Sequence, residues 1–366
     1  MKRFFTNAVL GLVLGLSVNV TSAGAAQASA PSATDMKTRI SIMSFNVENL
    51  FDTVDDADRD DETFLPLAYK KANPKVMAKC EQASNDYFKQ ECRETDWSEQ
   101  VFETKISHVA EVIRSVNAGR GPDILGVVEV ENINALNLLN ERKLKDLGYK
   151  TVVLIEGPDT RGIDPGVISR FPQWDKAQLH IVLYVDDRGR PDKAGARSRG
   201  ILEVRLLLPD GTKIAYFSGH FPSQSNPTAL RKQAVAELNR IKSKLPKDVV
   251  AIAGGDFNIT HDEDAQYGYI SKDLAANWMV SHLVGCKTCK GTEVYKRTWS
   301  FLDLLAFDPS LNDSNGKAAW ALDASTIAVP HAAAVHVNKY GEPERFSPPS
   351  TGVSDHWPVY AEIYKR

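Results

Sequence analysis

Six apolar runs of this chain are ended or interrupted by side chains that can bind cations or move protons. Asn46 and Glu48 follow ISIMSF, Glu129 ends DILGVVE, and His220 follows IAYFSG. Asp256 and Asn258 follow VVAIAGG, Asp303 stands inside SFLDLLAF, and Asp355-His356 precede WPVYAEI. Singly, each has an ordinary explanation: an Asp after two glycines caps a turn, and a buried Asp accepts backbone amides. Together they need another reason, because an unpaired ion inside a protein costs several kcal/mol. Carboxylates and amides offer oxygen to a hard cation, and imidazoles hold or move a proton near neutral pH. Convergence of the six run ends at one edge of a sheet structure would gather both chemistries in one place.

The elements that must position these groups follow from periodicity. Ile40–Val47, Asp123–Val130 and Asp248–Gly254 are short apolar runs suited to buried strands. Ile201–Leu208 and Thr212–Ser218 flank Pro209-Asp210-Gly211, which predicts a hairpin. Further short strands are expected near 149–155, 166–169 and 179–185, and a last one over Trp357–Ile363. Phe102, Ile106, Val109 and Ile113 form one helical stripe, and Leu230, Ala234, Leu238 and Ile241 another. Asn132 is placed to cap a third helix. The stretches 308–330 and 338–351 are expected to be long surface loops. Strands arriving both as hairpins and alternating with helices predict an α/β sandwich, two packed mixed sheets flanked by helices in one domain.

The first 30 residues stand apart. Lys2 and Arg3 precede an apolar stretch, Ala8–Val20, followed by small residues that offer A-x-A cleavage sites. This predicts a cleavable signal peptide, and a protein delivered to the periplasm or the medium without stable membrane association. The mature chain, 31–366, would be one domain with insertions at about 52–100 and 308–351. Four cysteines fall as two close pairs, Cys80 with Cys92 and Cys286 with Cys289. Export favours disulfides; zinc held by His282, Cys286 and Cys289 is the rival reading. The net charge of −3 gives no overall basic field for nucleic acid. No cluster of Lys and Arg with interleaved aromatics stands out in the sequence.

Seven segments, in order, resemble the endonuclease/exonuclease/phosphatase superfamily, whose fold is that of deoxyribonuclease I. They are SFNVENL (44–50), PDILGVVEVEN (122–132), GVISRFP (166–172), SGHFPS (218–223), GGDFN (254–258), FLDLLAF (301–307) and SDHWPV (354–359). The acidic stretch NLFDTVDDADRDDETFLP (49–66), RGID (161–164) and GTEVYKRTWSFLD (291–303) resemble an exported bacterial branch. The resemblance implies a four-layered α/β sandwich hydrolysing phosphoesters with Mg²⁺ or Mn²⁺. It implies Glu129 as main metal ligand, with Asn46, Glu48 and Asp355, and Asp256 as the group that orients or deprotonates water. Asn258 would hold water or phosphate, His356 fixed by Asp303 would meet the scissile phosphate, and His220 would protonate the leaving oxygen. Arg161 is the phosphate contact expected from a guanidinium. A secreted, monomeric nuclease acting on DNA or RNA is the leading expectation, with no protein partner. A phosphatase or lipid-headgroup phosphodiesterase on the same fold is the alternative, and a non-catalytic binding module a remote one. Asp56-x-Asp58-x-Asp60 would admit a structural Ca²⁺, although the Gly and Glu of an EF-hand loop are missing.

Overall fold

Two sheets organise the chain, each built around one parallel strand pair that a long helix connects. The computed structural model describes residues 38–192, 198–315 and 318–366; the expected signal peptide lies outside the described residues. In spatial order the first sheet holds β13 (Trp320–Ala328), β14 (Val359–Lys365), β1 (Arg39–Leu50), β2 (Ile124–Val130), β4 (Asp164–Ser169) and β3 (Thr151–Leu154). The second holds β5 (Gln178–His180), β6 (Ile201–Leu207), β7 (Lys213–His220), β8 (Val249–Asp256), β12 (Asp303–Phe307) and β9 (Met279–Val280). A separate hairpin pairs β10 (Glu293–Tyr295) with β11 (Thr298–Ser300). β1 and β2 are parallel, as are β7 and β8, and the remaining pairings within the two sheets are antiparallel.

Parallel neighbours need a crossover. α1 (Leu67–Ala72), α2 (Pro74–Cys80), α3 (Asp86–Glu94) and α4 (Glu99–Arg114) lie between β1 and β2, and α5 (Ile133–Leu139) follows β2. α6 (Thr228–Ser243) joins β7 to β8. Helical periodicity puts Phe102, Ile106, Val109 and Ile113 of α4 on Phe45, Leu125 and Val127 of the first sheet. Leu230, Ala234 and Leu238 of α6 pack on Ala215, Phe217 and Ala251 of the second. Between the sheets, Ile42, Ile124, Val204, Tyr216, Ile252 and Leu305 form the middle layer. Three apolar layers separating four layers of structure make this the deoxyribonuclease I-like α/β sandwich. No helix among the described residues is long and apolar enough to cross a membrane.

Several expectations are corrected. The stretch 308–330 is not a loop throughout, since β13 adds an edge strand to the first sheet, with a register shift between Asp323 and Ala328. The polar region after residue 62 folds into α1, α2 and α3, the last two tied by the Cys80–Cys92 disulfide. The last strand starts at Val359 rather than Trp357, directly after Pro358, which has no N–H to give a ladder. β5 ends at His180, short of the expected 185. Cys286 and Cys289 are also disulfide-bonded, so the described cysteines offer no thiolate to zinc. The His282 ring stacks on Phe301 instead, with ring centres 4.6 Å apart. The acidic loop spends carboxylates on hydrogen bonds: Asp56 accepts from the Asn132 amide and Asp61 from the backbone of Asp56. Among the described residues it does not bring three acidic ligands close enough for one ion.

Candidate active site

Strand alternation delivers the polar groups to one place. Along β1, residues 40 and 42 face the second sheet, and the same parity carries Asn46 to that gap. Tyr216 of β7, Ile252 of β8 and Leu305 of β12 also face the gap, and the same parity carries His220, Asp256 and Asp303 there. His220, Asp256 and Asp303 lie at strand ends that share one edge, His220 in register with Asp256 and Asp256 with Asp303, and Asn46 stands where the regular β1–β2 pairing breaks. Open α/β sheets bind ligands at such carboxyl ends of parallel strands.

Glu129 breaks the alternation. Val127 and Val130 both pack toward α4, which requires an irregularity between them. Glu129 supplies it with a left-handed backbone (φ 65°), as do Glu48 (49°), Asn49 (54°) and Asn258 (53°). Such conformations cost on the order of 1–3 kcal/mol each and gather where a site must be held in shape. The Gly254-Gly255 pair has a steric cause. A Cβ on Gly254 would lie 2.5 Å from the Tyr216 hydroxyl, and one on Gly255 (φ 145°) 1.8 Å from the Gly219 carbonyl oxygen.

The side chains form one connected network. Asn46 Nδ2 donates to Glu129 Oε1 at 3.3 Å and to Asp256 Oδ2 at 3.2 Å. The Asn49 amide donates to Glu129 Oε2 at 3.1 Å. His220 Nε2 lies 3.5 Å from Asp256 Oδ2 and 3.8 Å from Glu129 Oε1. On the other side of Asp256, His356 Nε2 is 3.9 Å from the same oxygen. His356 Nδ1 meets Asp303 Oδ2 at 2.6 Å, and Asp303 is wholly buried. The Asn258 amide donates to Asp256 Oδ1 at 2.8 Å, while its Nδ2 donates to the Phe221 carbonyl. Ser354 Oγ donates to the Asn46 carbonyl and accepts the His356 amide, which ties the last motif to the first.

Burial and neighbouring charge push the two imidazoles apart. Burial, with the Arg199 charge adding to it, holds His220 well below its usual range. Burial acts the same way on His356, but the charges of Asp303 and Asp256 outweigh it and hold that ring well above. Burial also lifts Asp256 to about 7, against the opposing charge of His356. Burial lifts Glu48 to about 7 as well, with Asp355 adding to it. For Glu129, burial is outweighed by its neighbours His220, Arg161 and Arg199, so its carboxyl lies below the usual range.

All ten expected residues lie in or at the border of this edge, in three groups. Asn46, Glu129, His220, Asp256, Asn258, Asp303 and His356 form the network. Glu48 and Asp355 are joined instead by Arg345, whose Nε reaches Glu48 Oε1 and whose Nη2 lies 2.9 Å from Asp355 Oδ2. Arg161 is exposed and anchored through Asn49 Oδ1 at 2.7 Å, beside the Glu129 loop. Three residues escape the sequence reading. Arg345 lies in a stretch with no pattern, and Arg199 is fixed by Asp159 at 2.8 Å. Lys105 is wholly buried and donates to the Val353 carbonyl at 2.5 Å. Only Lys105 left a signal, a lysine at i+3 from Phe102 on the apolar face of α4.

The donors at this edge fit a hard divalent cation. Glu129, Glu48 and Asp355 offer only oxygens, while Asn46 turns its Nδ2 to Glu129 and its Oδ1 to the Glu48 amide, and the Glu129 carboxylate is partly exposed with its backbone locked. Asp256, Asp303 and His356 also place ligand atoms within 4.8 Å of one another. Within that group Asp303 and His356 already satisfy each other, and among the described residues Glu48, Glu129 and Asp355 do not bring three ligand atoms equally close.

A four-layered sandwich carrying carboxylates, amides and two imidazoles at one sheet edge has the architecture of the deoxyribonuclease I-like phosphoesterases. The chain belongs to the endonuclease/exonuclease/phosphatase family, whose model matches residues 76–365. Solved structures agree on the fold. An endonuclease/exonuclease/phosphatase from Bacteroides vulgatus superposes with TM-score 0.54 at 14% identity, covering 90% of this chain and 100% of that one. A humanized TDP2 from D. rerio gives 0.52 at 14%, covering 89% and 99%. A mannosyl-6-phosphatase from Bacteroides thetaiotaomicron gives 0.51 at 14%, covering 88% and 99%. A search of curated proteins finds no match.

Proposed function

We propose that this protein is an exported, divalent-metal-dependent phosphodiesterase whose substrate is DNA or RNA. The observation that carries the reading is Asp256 between two imidazoles, His220 Nε2 at 3.5 Å and His356 Nε2 at 3.9 Å, which burial and neighbouring charge push in opposite directions. Environments that push titratable groups apart mark acid and base roles. Asp256, lifted to about 7, is matched to accept a proton from attacking water at neutral pH. His356, oriented and kept charged by Asp303, stabilises negative charge on the phosphoryl oxygens. In this reading His356, raised by Asp303 and Asp256, gives the proton to the leaving oxygen, in place of the His220 that the resemblance implies. Asn258, its amide committed to Phe221, turns its side-chain oxygen to the water or phosphate. Arg161 at the rim pairs with a neighbouring phosphate.

Glu129, Glu48, Asp355 and Asn46 would hold Mg²⁺ or Mn²⁺. Such an ion supplies Lewis-acid stabilisation of transition-state charge. Two disulfides are consistent with an oxidising compartment. The likeness to the mannosyl-6-phosphatase and to TDP2 is nearly equal in degree, so the substrate must be read by assay. Plasmid DNA, total RNA, bis(p-nitrophenyl) phosphate and p-nitrophenyl phosphate should be compared with Mg²⁺, Mn²⁺ or EDTA. Metal-dependent cleavage of both polymer and small diester, with little monoester turnover, is expected. Turnover of the monoester alone would replace the nuclease with a phosphatase.

A further inference from the structure

The segment 291–300 folds into a hairpin whose base is fastened to the candidate active site. Thr292 Oγ1 accepts the Asp303 amide at 3.0 Å, and the Thr292 carbonyl accepts the Trp357 amide, next to His356, at 2.8 Å. The two strands are joined by Lys296-Arg297, both left-handed (φ 49° and 69°). A two-residue turn of this kind favours Asn-Gly; each larger side chain there costs on the order of 1–2 kcal/mol. The costlier residues present two cations at the tip, and among the described residues neither has a salt-bridge partner. Alternation puts Val294 and Trp299 on one face of the hairpin, where the Trp299 ring lies 5.1 Å from that of Trp357, and half-buried Glu293 on the other. Tyr295, two residues further out, is on that same face and 65% exposed. Lys296 Nζ stands 5.0 Å over the Tyr295 ring.

We propose that Tyr295, Lys296 and Arg297 form a platform for the nucleic-acid strand beside the scissile phosphate. A base stacks on Tyr295 and the adjoining phosphates meet the two tip cations. The platform rests on the nuclease reading above and gives it a strand-binding surface. Rings that stack on bases beside cations that meet phosphates are the chemistry of sequence-tolerant single-strand binding.

The test is fluorescence anisotropy of a labelled single-stranded oligonucleotide in EDTA, with hydrolysis of bis(p-nitrophenyl) phosphate as the control. The variants are the double charge reversal Lys296→Glu/Arg297→Glu and, separately, Tyr295→Ala. The double variant should weaken oligonucleotide binding by about 10–100-fold and lower the salt dependence of binding by about two phosphate contacts. Tyr295→Ala should cost about 10-fold. Small-diester turnover should stay within about twofold for both, since hydrolysis there needs only the network around Asp256. Unchanged oligonucleotide affinity would overturn the platform, as would equal losses on both substrates, which would make the hairpin a mere support for Asp303. Wild-type protein that hydrolyses the small diester yet binds no oligonucleotide would also overturn it while leaving the phosphoesterase chemistry in place.

Discussion

Replacing Asp303 by Asn separates an oriented, charged His356 from one that is merely present. Asp303 is wholly buried, its Oδ2 lies 2.6 Å from His356 Nδ1, and its backbone amide is already satisfied by Thr292. The isosteric amide keeps the volume and removes the anion. At an effective dielectric of about 20, opposite charges this close attract by roughly 6 kcal/mol, so losing the anion withdraws much of what raises His356. Asn also presents a donor to one ring tautomer and an acceptor to the other, so orientation is lost together with charge. A comparable Asp-to-Asn change behind a catalytic histidine costs about 10⁴-fold in a serine protease; a loss of about 10³–10⁴ in kcat is expected here, with KM little changed. The assay is the pH profile of bis(p-nitrophenyl) phosphate hydrolysis at saturating Mg²⁺, beside a thermal melt to establish folding. In the wild type, activity that needs protonated His356 persists above the usual histidine range, because the folded-state value is raised. In Asp303→Asn that limb should move to lower pH. A folded variant losing less than about tenfold, with an unmoved profile, would refute the assignment of His356 as the charged group.

Three further outcomes follow from the geometry. His336 is wholly buried, its Nε2 donates to the Ser354 carbonyl at 3.0 Å, and burial pushes it from 6.5 down to about 3. The folded state then binds fewer protons than the unfolded state between those values, so stability from this group is lost as pH falls below about 6.5. His336→Gln should therefore gain roughly 2 kcal/mol relative to wild type between pH 7.5 and pH 5 in urea titrations; equal differences at both pH values would contradict it. Arg345→Gln frees Glu48 and Asp355, so Mn²⁺ should bind about 3–10-fold tighter by calorimetry while the metal-free protein melts lower; weaker binding would mean that Arg345 orients those carboxylates instead. Gly255→Ala should fail to yield folded protein, because its Cβ meets the Gly219 carbonyl and no side chain can rotate away; a soluble variant with the wild-type melting temperature would refute that packing.

Much of the site is legible because strand alternation has a period of two. Asn46, His220, Asp256 and Asp303 occupy positions where a core-facing parity continues into a polar residue. Glu129 does not, since its orientation depends on a left-handed backbone that no local propensity of Glu requires. Arg345 and Arg199 act through loops whose placement is set by tertiary contacts, and nothing local marks them. β13 is hidden because Asp323-Ala-Ser-Thr interrupts its apolar residues at a register shift. The 291–300 hairpin is hidden because Lys-Arg stands where a turn would ordinarily show Asn or Gly.

The central claim is metal-dependent phosphodiester hydrolysis at the edge marked by Asp256. The direct measurement is nicking of supercoiled plasmid by wild type and Asp256→Asn, each with Mg²⁺ and with EDTA. The account predicts nicking by the wild type only with Mg²⁺, and a loss of at least about 10³-fold in the folded Asp256→Asn variant. Nicking that survives EDTA, or that Asp256→Asn leaves intact, would contradict it.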